Sequence, residues 1–397
     1  MDKLAILGGT PIRKDYLPYG RQNIDEEDIK VIVDTLKSDY LTTGPKVKEF
    51  EEKIAKYVGA KYAVALSNGT AALHAACYAA GIGEGDEVIT TPLTFAASAN
   101  CVLYLGGTPV FADIDPKTYN IDVEDIERKI TDKTKAIIPV DYTGQAVDLD
   151  KIMELAKKYN LIVIEDSAHA IGTEYKDKKV GSIADMTEFS FHPVKHITTG
   201  EGGVITTNDK DLYEKLILFR THGITRDSDL MTDNNQGSWY YEQLDLGFNY
   251  RITDFQCALG ISQLNKLDDF IHRRRELVNI YNDKLSKMDG VITPYESKDS
   301  NSSWHLYVIQ LELEKFNGDR KEIFEALKAE NIGVNVHYIP VHLHPYYKKL
   351  GYEKGLCPVA ERVYEGIITL PLHPSMKNED LDDVIMALEK VLDYYRK

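Results

Sequence analysis

Residues 161–169 read Leu161-Ile162-Val163-Ile164-Glu165-Asp166-Ser167-Ala168-His169, and this stretch decides the fold. Its continuous aliphatic run is typical of a strand buried on both faces, as found in parallel sheets that are covered by helices. The run ends in acids, and α/β sheets bind ligands at the carboxyl ends of their strands. We therefore expect Asp166 to lie low in a cleft. Taken alone, Asp166 could instead cap a helix, and His169 could be a core histidine.

Similar short apolar runs recur on both sides of this one. The predicted strands are Tyr62–Leu66, Glu87–Thr90, Thr108–Asp113, Lys135–Val140, Leu161–Glu165, Thr187–Phe191 and Gly203–Thr207. The residues between them show helical periodicity, as in Ala71–Ala80 and Leu149–Tyr159. Strands that alternate with helices predict an α/β fold with a mostly parallel, seven-stranded sheet flanked by helices. We assign this sheet to a large domain, residues 1–263, which includes an N-terminal arm.

The pattern changes after about Gln256. We predict one long helix from Phe255 to Leu285, then a strand Trp304–Leu313, a helix Arg320–Glu330, a strand Gly333–Tyr338 and a closing helix Asn378–Tyr395. Fewer strands and longer helices indicate a smaller α+β domain over residues 264–397. The polar stretch Thr225–Tyr241 is the best candidate for a mobile loop, and such loops often cover an active site.

Composition excludes several classes of protein. The chain has 397 residues, and 47 basic against 63 acidic side chains give it a net charge of −16. This charge repels nucleic acids and anionic membranes, so we expect neither as a partner. The four cysteines form no C-x-x-C pair, and we expect no metal site. Without an apolar leader or a run of about 18 apolar residues, we expect a cytoplasmic protein.

Two further motifs follow predicted strands. Ser67-Asn68-Gly69-Thr70-Ala71 leads into a helix, where free backbone amides could cradle an anion, although an ordinary capped turn is an equal alternative. Phe189-Ser190-Phe191-His192-Pro193-Val194-Lys195 leads into an irregular turn that holds Lys195. A lone lysine in a loop is usually a solvated surface charge. A lysine near an anion cradle and a cleft carboxylate, however, is what Schiff-base chemistry with pyridoxal phosphate (PLP) requires.

Together these motifs resemble one known family, the fold-type I PLP aminotransferases that act on nucleotide-linked keto sugars (the DegT-like group). The resemblance covers nearly the whole chain. It also includes, in the same order, Pro18-Tyr19-Gly20-Arg21-Gln22, Leu41-Thr42-Thr43-Gly44-Pro45, Gly247-Phe248-Asn249-Tyr250-Arg251 and His337-Tyr338-Ile339-Pro340-Val341-His342. The resemblance implies a transaminase with PLP as its cofactor.

The resemblance also implies a role for each matching position. Lys195 matches the lysine that bonds to the cofactor's aldehyde and later moves a proton between amino donor and cofactor. Asp166 matches the acid beside the pyridine nitrogen, and His169 matches a position close to the phenolic oxygen. The remaining positions are Thr70, Ala71 and Ser190 for the phosphate, Phe95 for stacking on the ring, and Asn249, which in relatives reaches the phosphate held by the neighbouring subunit. This last match implies a homodimer with shared active sites.

Substrate positions are implied in the same way, with Thr43 and His337 matching sugar-nucleotide contacts. The flanking motifs are most similar to those of pseudaminic acid biosynthesis enzymes that aminate C4 of UDP-2-acetamido-2,6-dideoxy-β-L-arabino-hexos-4-ulose. Their amino donor is L-glutamate, which leaves as 2-oxoglutarate, and their product is UDP-4-amino-4,6-dideoxy-N-acetyl-β-L-altrosamine. Enzymes that form UDP-4-amino-4-deoxy-L-arabinose share Phe-Ser-Phe-His and Thr-Thr-Gly-Pro and are the alternative, as is another sugar-nucleotide aminotransferase.

Other classes fit the sequence less well. A nucleotide-sugar oxidoreductase on a Rossmann sheet would carry G-x-G-x-x-G after its first strand, and this sequence has none there. Relatives that dehydrate sugars carry histidine at the position of Lys195. A regulatory relative without activity would be expected to lose the lysine or the acid, and both Lys195 and Asp166 are present. The sequence therefore favours transamination.

Overall fold

The computed structural model describes residues 3–233 and 236–397. In chain order the strands are β1 Tyr62–Leu66, β2 Glu87–Thr90, β3 Thr108–Phe111, β4 Thr134–Ile138, β5 Ile162–Asp166, β6 Glu174–Tyr175, β7 Lys178–Lys179, β8 Met186–Ser190, β9 Gly203–Thr207, β10 Ile224–Thr225, β11 Glu242–Gln243, β12 Val291–Ile292, β13 Ser300–Asn301, β14 Tyr307–Leu311 and β15 Ile367–Leu370. The α-helices are α1 Glu26–Leu36, α2 Pro45–Val58, α3 Gly69–Ala79, α4 Ala97–Leu103, α5 Val123–Lys129, α6 Leu149–Tyr159, α7 Lys210–Arg220, α8 Asp254–Leu264, α9 Leu267–Leu285, α10 Arg320–Ala329, α11 Pro345–Lys349, α12 Pro358–Gly366 and α13 Asn378–Tyr395.

The largest sheet has seven strands in the order β1-β9-β8-β5-β4-β2-β3. Strand β9 runs antiparallel to both of its neighbours, β1 and β8, and the other pairs are parallel. Every strand predicted for this sheet is confirmed, and no boundary differs from its prediction by more than about two residues, the usual uncertainty of an element's end. The predicted α/β fold class is therefore confirmed.

Alternate residues of the central strands enter different cores, because successive side chains of a strand point to opposite faces of the sheet. In β1, Ala63 packs in the core that includes residues of α2 and α6, and Val64 packs in the core that includes residues of α3 and α7. In β5, Val163 and Ile164 divide in the same way. Both faces of the sheet are thus buried, which accounts for the continuous apolar run in the sequence.

The C-terminal half is built around a second sheet, in the order β12-β14-β15. Leu4 and Leu17 of the N-terminal arm belong to the core of this half. Helix α9 contributes to both halves, since Phe270 packs in a core of the large sheet and Tyr281 packs in the C-terminal core. The division of the chain near residue 263 stays a prediction.

The single helix predicted over 255–285 is wrong, because the structure has two helices, α8 and α9, which are separated at Asn265 and Lys266. The ammonium group of Lys266 lies 2.7 Å from a carboxylate oxygen of Asp25 and 2.8 Å from one of Asp28. These ion pairs join segments that are distant in sequence. Hydrophobic periodicity records only local spacing, so it gives no indication of the break.

The strand predicted over Gly333–Tyr338 is also wrong. Within the described residues this segment makes one isolated bridge, at Asn335 with Thr369, and the residue before it, Ile332, makes another with Leu17. The backbone N–H of Val336 donates to the side-chain oxygen of Asn335 at 2.8 Å, and this local bond competes with a sheet ladder. The segment forms part of a cavity wall instead.

The other C-terminal predictions differ less from the structure. The predicted helices Arg320–Glu330 and Asn378–Tyr395 are confirmed as α10 and α13. The predicted strand Trp304–Leu313 is shortened to β14, because Trp304 has a φ of 52°, outside the range of a strand. Its partner β15 is a strand that the sequence analysis missed.

The stretch Thr225–Tyr241, predicted to be a mobile loop, contains Asn234 and Asn235, which lie outside the described residues. Its described part contains no helix, and the short ladder between β10 and β11 closes it at both ends. The guanidinium of Arg226 lies 5.6 Å from the centre of the Tyr241 ring. The mobility of this stretch stays a prediction.

Candidate active site

A cavity of about 810 Å³ lies at the carboxyl ends of the central strands, where ligands bind to α/β sheets. The segments that follow β1, β5 and β8 form part of its wall, and the C-terminal half adds the segment from Asn335 to Tyr338. The predicted site residues that line the cavity are Thr70, Phe95, Asp166, His169, Ser190, Lys195 and His337. The fold thus brings together most of the positions that the motifs singled out.

Lys195 is held in the turn after β8, where its backbone N–H donates to the carbonyl of His192 at 2.9 Å. Its side chain is half-buried and lines the cavity. Burial lowers the pKa of Lys195 to about 8, although the electrostatic attraction of the nearby acidic groups opposes the shift. At pH 7 about one tenth of this amine is therefore neutral and nucleophilic, a much larger share than for an ordinary lysine with a pKa of about 10.4.

This shift predicts how covalent attachment of PLP to the apoprotein depends on pH. Only the neutral amine attacks an aldehyde, so the attachment rate should rise with pH and level off above about 8. The rate is measured by borohydride trapping and mass spectrometry, with Lys195→Ala as the background. A rate that keeps rising to the pKa of an ordinary lysine, about 10.4, would contradict the expectation.

Asp166 ends β5 and is almost completely buried, with 4% of its surface exposed. The hydroxyl of Ser98 donates to Asp166 Oδ2 at 2.6 Å, and the backbone N–H of Ala168 donates to Oδ1 at 3.2 Å. Burial raises the pKa of Asp166, and these hydrogen bonds act in the opposite direction. The bonds fix the orientation of the carboxyl group and favour its ionised form.

The predicted anion cradle lies where β1 leads into α3. The side chain of Asn68 caps this helix by accepting a hydrogen bond of 2.8 Å from the backbone N–H of Ala71. The Ala71 amide therefore already has a partner, whereas the first amides of a helix have none within the helix. Gly69 keeps the cradle open, because a Cβ there would lie 2.5 Å from Glu188 Oε1 and 3.2 Å from Ser190 Cβ.

These residues fit PLP. The cavity offers an amine, a buried carboxylate, and a helix terminus with a nearby serine hydroxyl, which suit an aldehyde, a pyridine nitrogen and a phosphate respectively. Nδ1 of His169 is buried and has no hydrogen-bond partner among the described residues, so a polar group of a ligand could satisfy it.

His169 and Phe95 differ in burial, with His169 in the buried part of the cavity wall and Phe95 in the exposed part. His169 is buried, and its Nε2 lies 3.0 Å from the hydroxyl of Tyr338. Burial holds the pKa of His169 well below its usual range, so the imidazole is neutral. The side chain of Phe95 is 63% exposed, and the centre of its ring lies 6.2 Å from that of Tyr338. An aromatic ring this exposed offers a face on which a flat ligand can stack.

His337 is the one predicted substrate residue that the structure places in the cavity wall. Its Nδ1 lies 2.8 Å from the hydroxyl of Thr369, and its backbone carbonyl accepts a hydrogen bond from the hydroxyl of Tyr142. Burial lowers the pKa of His337 to about 3. The ring is therefore neutral and held in a fixed orientation.

Three predicted residues do not line the cavity: Thr43, Ala71 and Asn249. Thr43 and Asn249 are exposed. Thr43 has a φ of 55°, and Asn249 forms an isolated bridge with Thr221. Because Thr43 and Asn249 are exposed on the single chain, they are accessible to a second molecule. The roles predicted for Thr43, Ala71 and Asn249 stay predictions.

Some residues of the cavity were missed by the sequence analysis. Glu188 precedes Ser190 by two residues in β8, so the two-residue period of a strand could have placed both on one face. Ser98 and Tyr338 gave no comparable indication, because their contacts with Asp166 and His169 join distant parts of the chain.

No helix in residues 3–233 and 236–397 is long and apolar enough to span a membrane. The same part of the chain contains no group of three or more His, Cys, Asp or Glu side chains that could hold a metal ion. The cytoplasmic location stays a prediction.

Comparison with known proteins gives consistent matches along the chain. The model of the DegT/DnrJ/EryC1/StrS aminotransferase family matches residues 22–389. The spore coat polysaccharide biosynthesis protein SpsC of Bacillus subtilis is 46% identical over 382 residues, which are 96% of this chain and 98% of that protein. The UDP-4-amino-4,6-dideoxy-N-acetyl-β-L-altrosamine transaminase of Campylobacter jejuni is 42% identical over 385 residues, which are 96% of this chain and 99% of that protein.

The fold is also found in a solved structure. A sugar aminotransferase homologue of Streptococcus pneumoniae, solved in its PLP form, has a TM-score of 0.88 at 33% identity, and the match covers 96% of this chain and 99% of that one. Sequence, fold and cavity therefore agree on both the activity and the cofactor. The chain belongs to the DegT/DnrJ/EryC1/StrS aminotransferase family and is a PLP-dependent sugar aminotransferase of fold-type I.

Proposed function

We propose that the protein transfers the amino group of L-glutamate to C4 of a UDP-linked 4-keto sugar and releases 2-oxoglutarate. The proposed acceptor is UDP-2-acetamido-2,6-dideoxy-β-L-arabino-hexos-4-ulose, which would give UDP-4-amino-4,6-dideoxy-N-acetyl-β-L-altrosamine, an intermediate of pseudaminic acid biosynthesis. The observation that carries the proposal is that Lys195, Asp166 and the Gly69 cradle line one cavity. The chain that contains this cavity is 42% identical to a transaminase named for that product.

The positions of the side chains in the cavity support the proposed roles. Thr70 and Ser190 would hold the phosphate of PLP, and Asp166 would hold a proton on its pyridine nitrogen. When bound, PLP supplies an electron sink for the negative charge that develops at Cα of the amino donor. The amine of Lys195 removes the proton from that Cα and later returns a proton to the sugar carbon. Its pKa of about 8 suits both transfers near neutral pH.

The remaining cavity residues would orient the ligands. Neutral His169 would lie beside the phenolic oxygen of the cofactor, and Phe95 would stack on the ring. His337 would contact the sugar nucleotide from the C-terminal half, and Thr43 would contact it from the turn before α2. None of these four groups carries a charge, so they would position their ligands by shape and by neutral hydrogen bonds.

The identity of the sugar is tested by the absorbance of the bound cofactor. L-glutamate should convert the PLP spectrum into that of pyridoxamine phosphate, and the UDP-L-arabino-4-ketohexose should restore it. Recovery with UDP-4-keto-pentose alone would favour formation of UDP-4-amino-4-deoxy-L-arabinose. Recovery with neither sugar would point to another nucleotide sugar, an outcome that the 46% identity to SpsC keeps open.

We also propose that the enzyme is a homodimer in which Asn249 of each subunit reaches the phosphate held by the other. The exposure of Asn249 away from the cavity of its own chain supports this proposal. In a symmetric dimer, a residue that serves the partner's site lies on the shared face.

This proposal predicts complementation between two inactive variants. Lys195→Ala and Asn249→Ala should each be impaired, and refolding them together in equal amounts should restore about one quarter of the wild-type sites. Half of the dimers are then mixed, and each mixed dimer has one intact site. The measurement is the rate of 2-oxoglutarate formation, with each variant refolded alone as the control. A mixture no more active than its components would contradict the shared site.

A further inference from the structure

Glu188 is a buried acid of the cavity that the mechanism above does not use. It lies in β8, directly opposite Asp166 of β5 in the parallel ladder between these strands. It shares a strand face with Ser190, lines the cavity and is fully buried. The question for a buried acid at this position is whether its carboxyl group is ionised or protonated.

The surroundings of Glu188 do not suit a carboxylate. No N–H or O–H group of the described residues donates to either of its oxygens. Oε1 lies so close to Gly69 that a Cβ on this glycine would be 2.5 Å away. An ionised Glu188 would thus place a negative charge, without a donor, against the cradle that is to receive a phosphate.

Comparison of Glu188 with the neighbouring Asp166 indicates which of these two acids carries the negative charge. Glu188 and Asp166 are partners in the parallel ladder, so their side chains point to the same face of the sheet, and two buried carboxyl groups that share one site do not both ionise. Asp166 accepts hydrogen bonds from Ser98 and Ala168, whereas Glu188 accepts none. Burial, followed by the charge of Asp166, raises the pKa of Glu188 well above its usual value, and the positive charge of Lys195 only partly opposes this.

We propose that Glu188 is a positioning residue, a neutral carboxylic acid that donates its O–H to Asp166 and so keeps the single negative charge of the pair on Asp166. Its effect on PLP rests on the role proposed for Asp166, but its protonation does not. The hydrogen bond stabilises the Asp166 anion, which would hold the proton on the pyridine nitrogen. The neutral side chain also leaves the phosphate cradle without a competing negative charge.

The protonation of Glu188 is measured on the apoprotein by infrared spectroscopy. The difference spectrum between wild type and Glu188→Gln should show loss of the C=O stretch of a protonated carboxylic acid at neutral pH. Loss of a carboxylate band instead would overturn the proposal. Because this experiment contains no cofactor, its outcome does not depend on the proposed function.

The positioning role is measured on the holoenzyme with PLP labelled with ¹⁵N in the ring. Glu188→Gln keeps a neutral donor and should leave both the ring-nitrogen chemical shift and the affinity for PLP close to wild type. Glu188→Met has similar length without a donor, so it should move the shift toward the unprotonated value and weaken PLP binding by about tenfold or more. Equal effects of Gln and Met would overturn the proposal, because only the donor distinguishes them.

Two control variants distinguish a failure of the role proposed for Glu188 from a failure of the role proposed for Asp166. Glu165→Gln changes a buried acid of β5 that bonds to Thr187 rather than lining the cavity, and it should leave the ring-nitrogen shift unchanged. In Asp166→Asn, a ring nitrogen that stays protonated would refute the proposed role of Asp166, while the infrared result for Glu188 would stand. If Glu188→Met does not fold, the infrared difference for Glu188→Gln still decides whether Glu188 is the acid of the pair.

Discussion

Lys195→Ala is expected to lower kcat/KM by about 10³-fold or more, because in the proposed mechanism the Lys195 amine moves the proton at both reacting carbons. It should also lose covalent attachment of PLP, since no other lysine lines the cavity among the described residues. The rate of 2-oxoglutarate formation measures the first effect, and borohydride trapping with mass spectrometry measures the second.

The matched control for this variant is Lys48→Ala. The side chain of Lys48 is 80% exposed on α2 and makes a loose ion pair with Glu52 at 3.8 Å. Such a pair contributes little to stability, so this variant should keep wild-type activity and labelling. If Lys195→Ala kept most of its activity, or if the cofactor became attached to another lysine, the assignment of Lys195 would be wrong.

Asp166→Asn is expected to reduce kcat by about 10²–10³-fold, the usual effect of removing one electrostatic contact to a developing charge. An amide is neutral, so it cannot stabilise a proton on the pyridine nitrogen as a carboxylate does. KM for the sugar nucleotide should change much less, because in the proposed mechanism Asp166 contacts the pyridine nitrogen of the cofactor rather than the sugar.

Asp185→Asn is the matched control for this acid. Asp185 is half-buried just before β8 and accepts a hydrogen bond of 2.8 Å from the backbone N–H of Val163, but it does not line the cavity. Its replacement should affect thermal stability rather than kcat. Equal losses of kcat in Asp166→Asn and Asp185→Asn would indicate that Asp166 acts only through the fold.

The features predicted correctly from the sequence are those with a local pattern. The apolar run before Asp166 has the composition of a doubly buried strand, and the structure confirms this as β5. The positions of the cradle and of Lys195 follow from strands that end at the same edge of the sheet. Local periodicity is sufficient for such features because each one depends on residues that are close together in the chain.

The features that were missed depend on contacts between distant residues. The break before α9 lies where Lys266 meets Asp28, and the irregular segment at Asn335 forms a cavity wall rather than continuing a strand. The hydrogen bond from Ser98 to Asp166 joins residues 68 positions apart. No spacing rule within one segment identifies such partners, because tertiary contacts override local preference.

The position of β9 has a consequence for the order of events during folding. Strand β1 is at the edge of the sheet, and its one ladder among the described residues is with β9, which is made more than a third of the chain later. Until then β1 has no partner, and a nascent chain with an unpaired edge is prone to aggregate. Because β9 also pairs with β8, its arrival brings the segment after β1 beside the segment that carries Lys195. The pairing of β9 therefore completes the sheet and assembles the cofactor site in the same folding step.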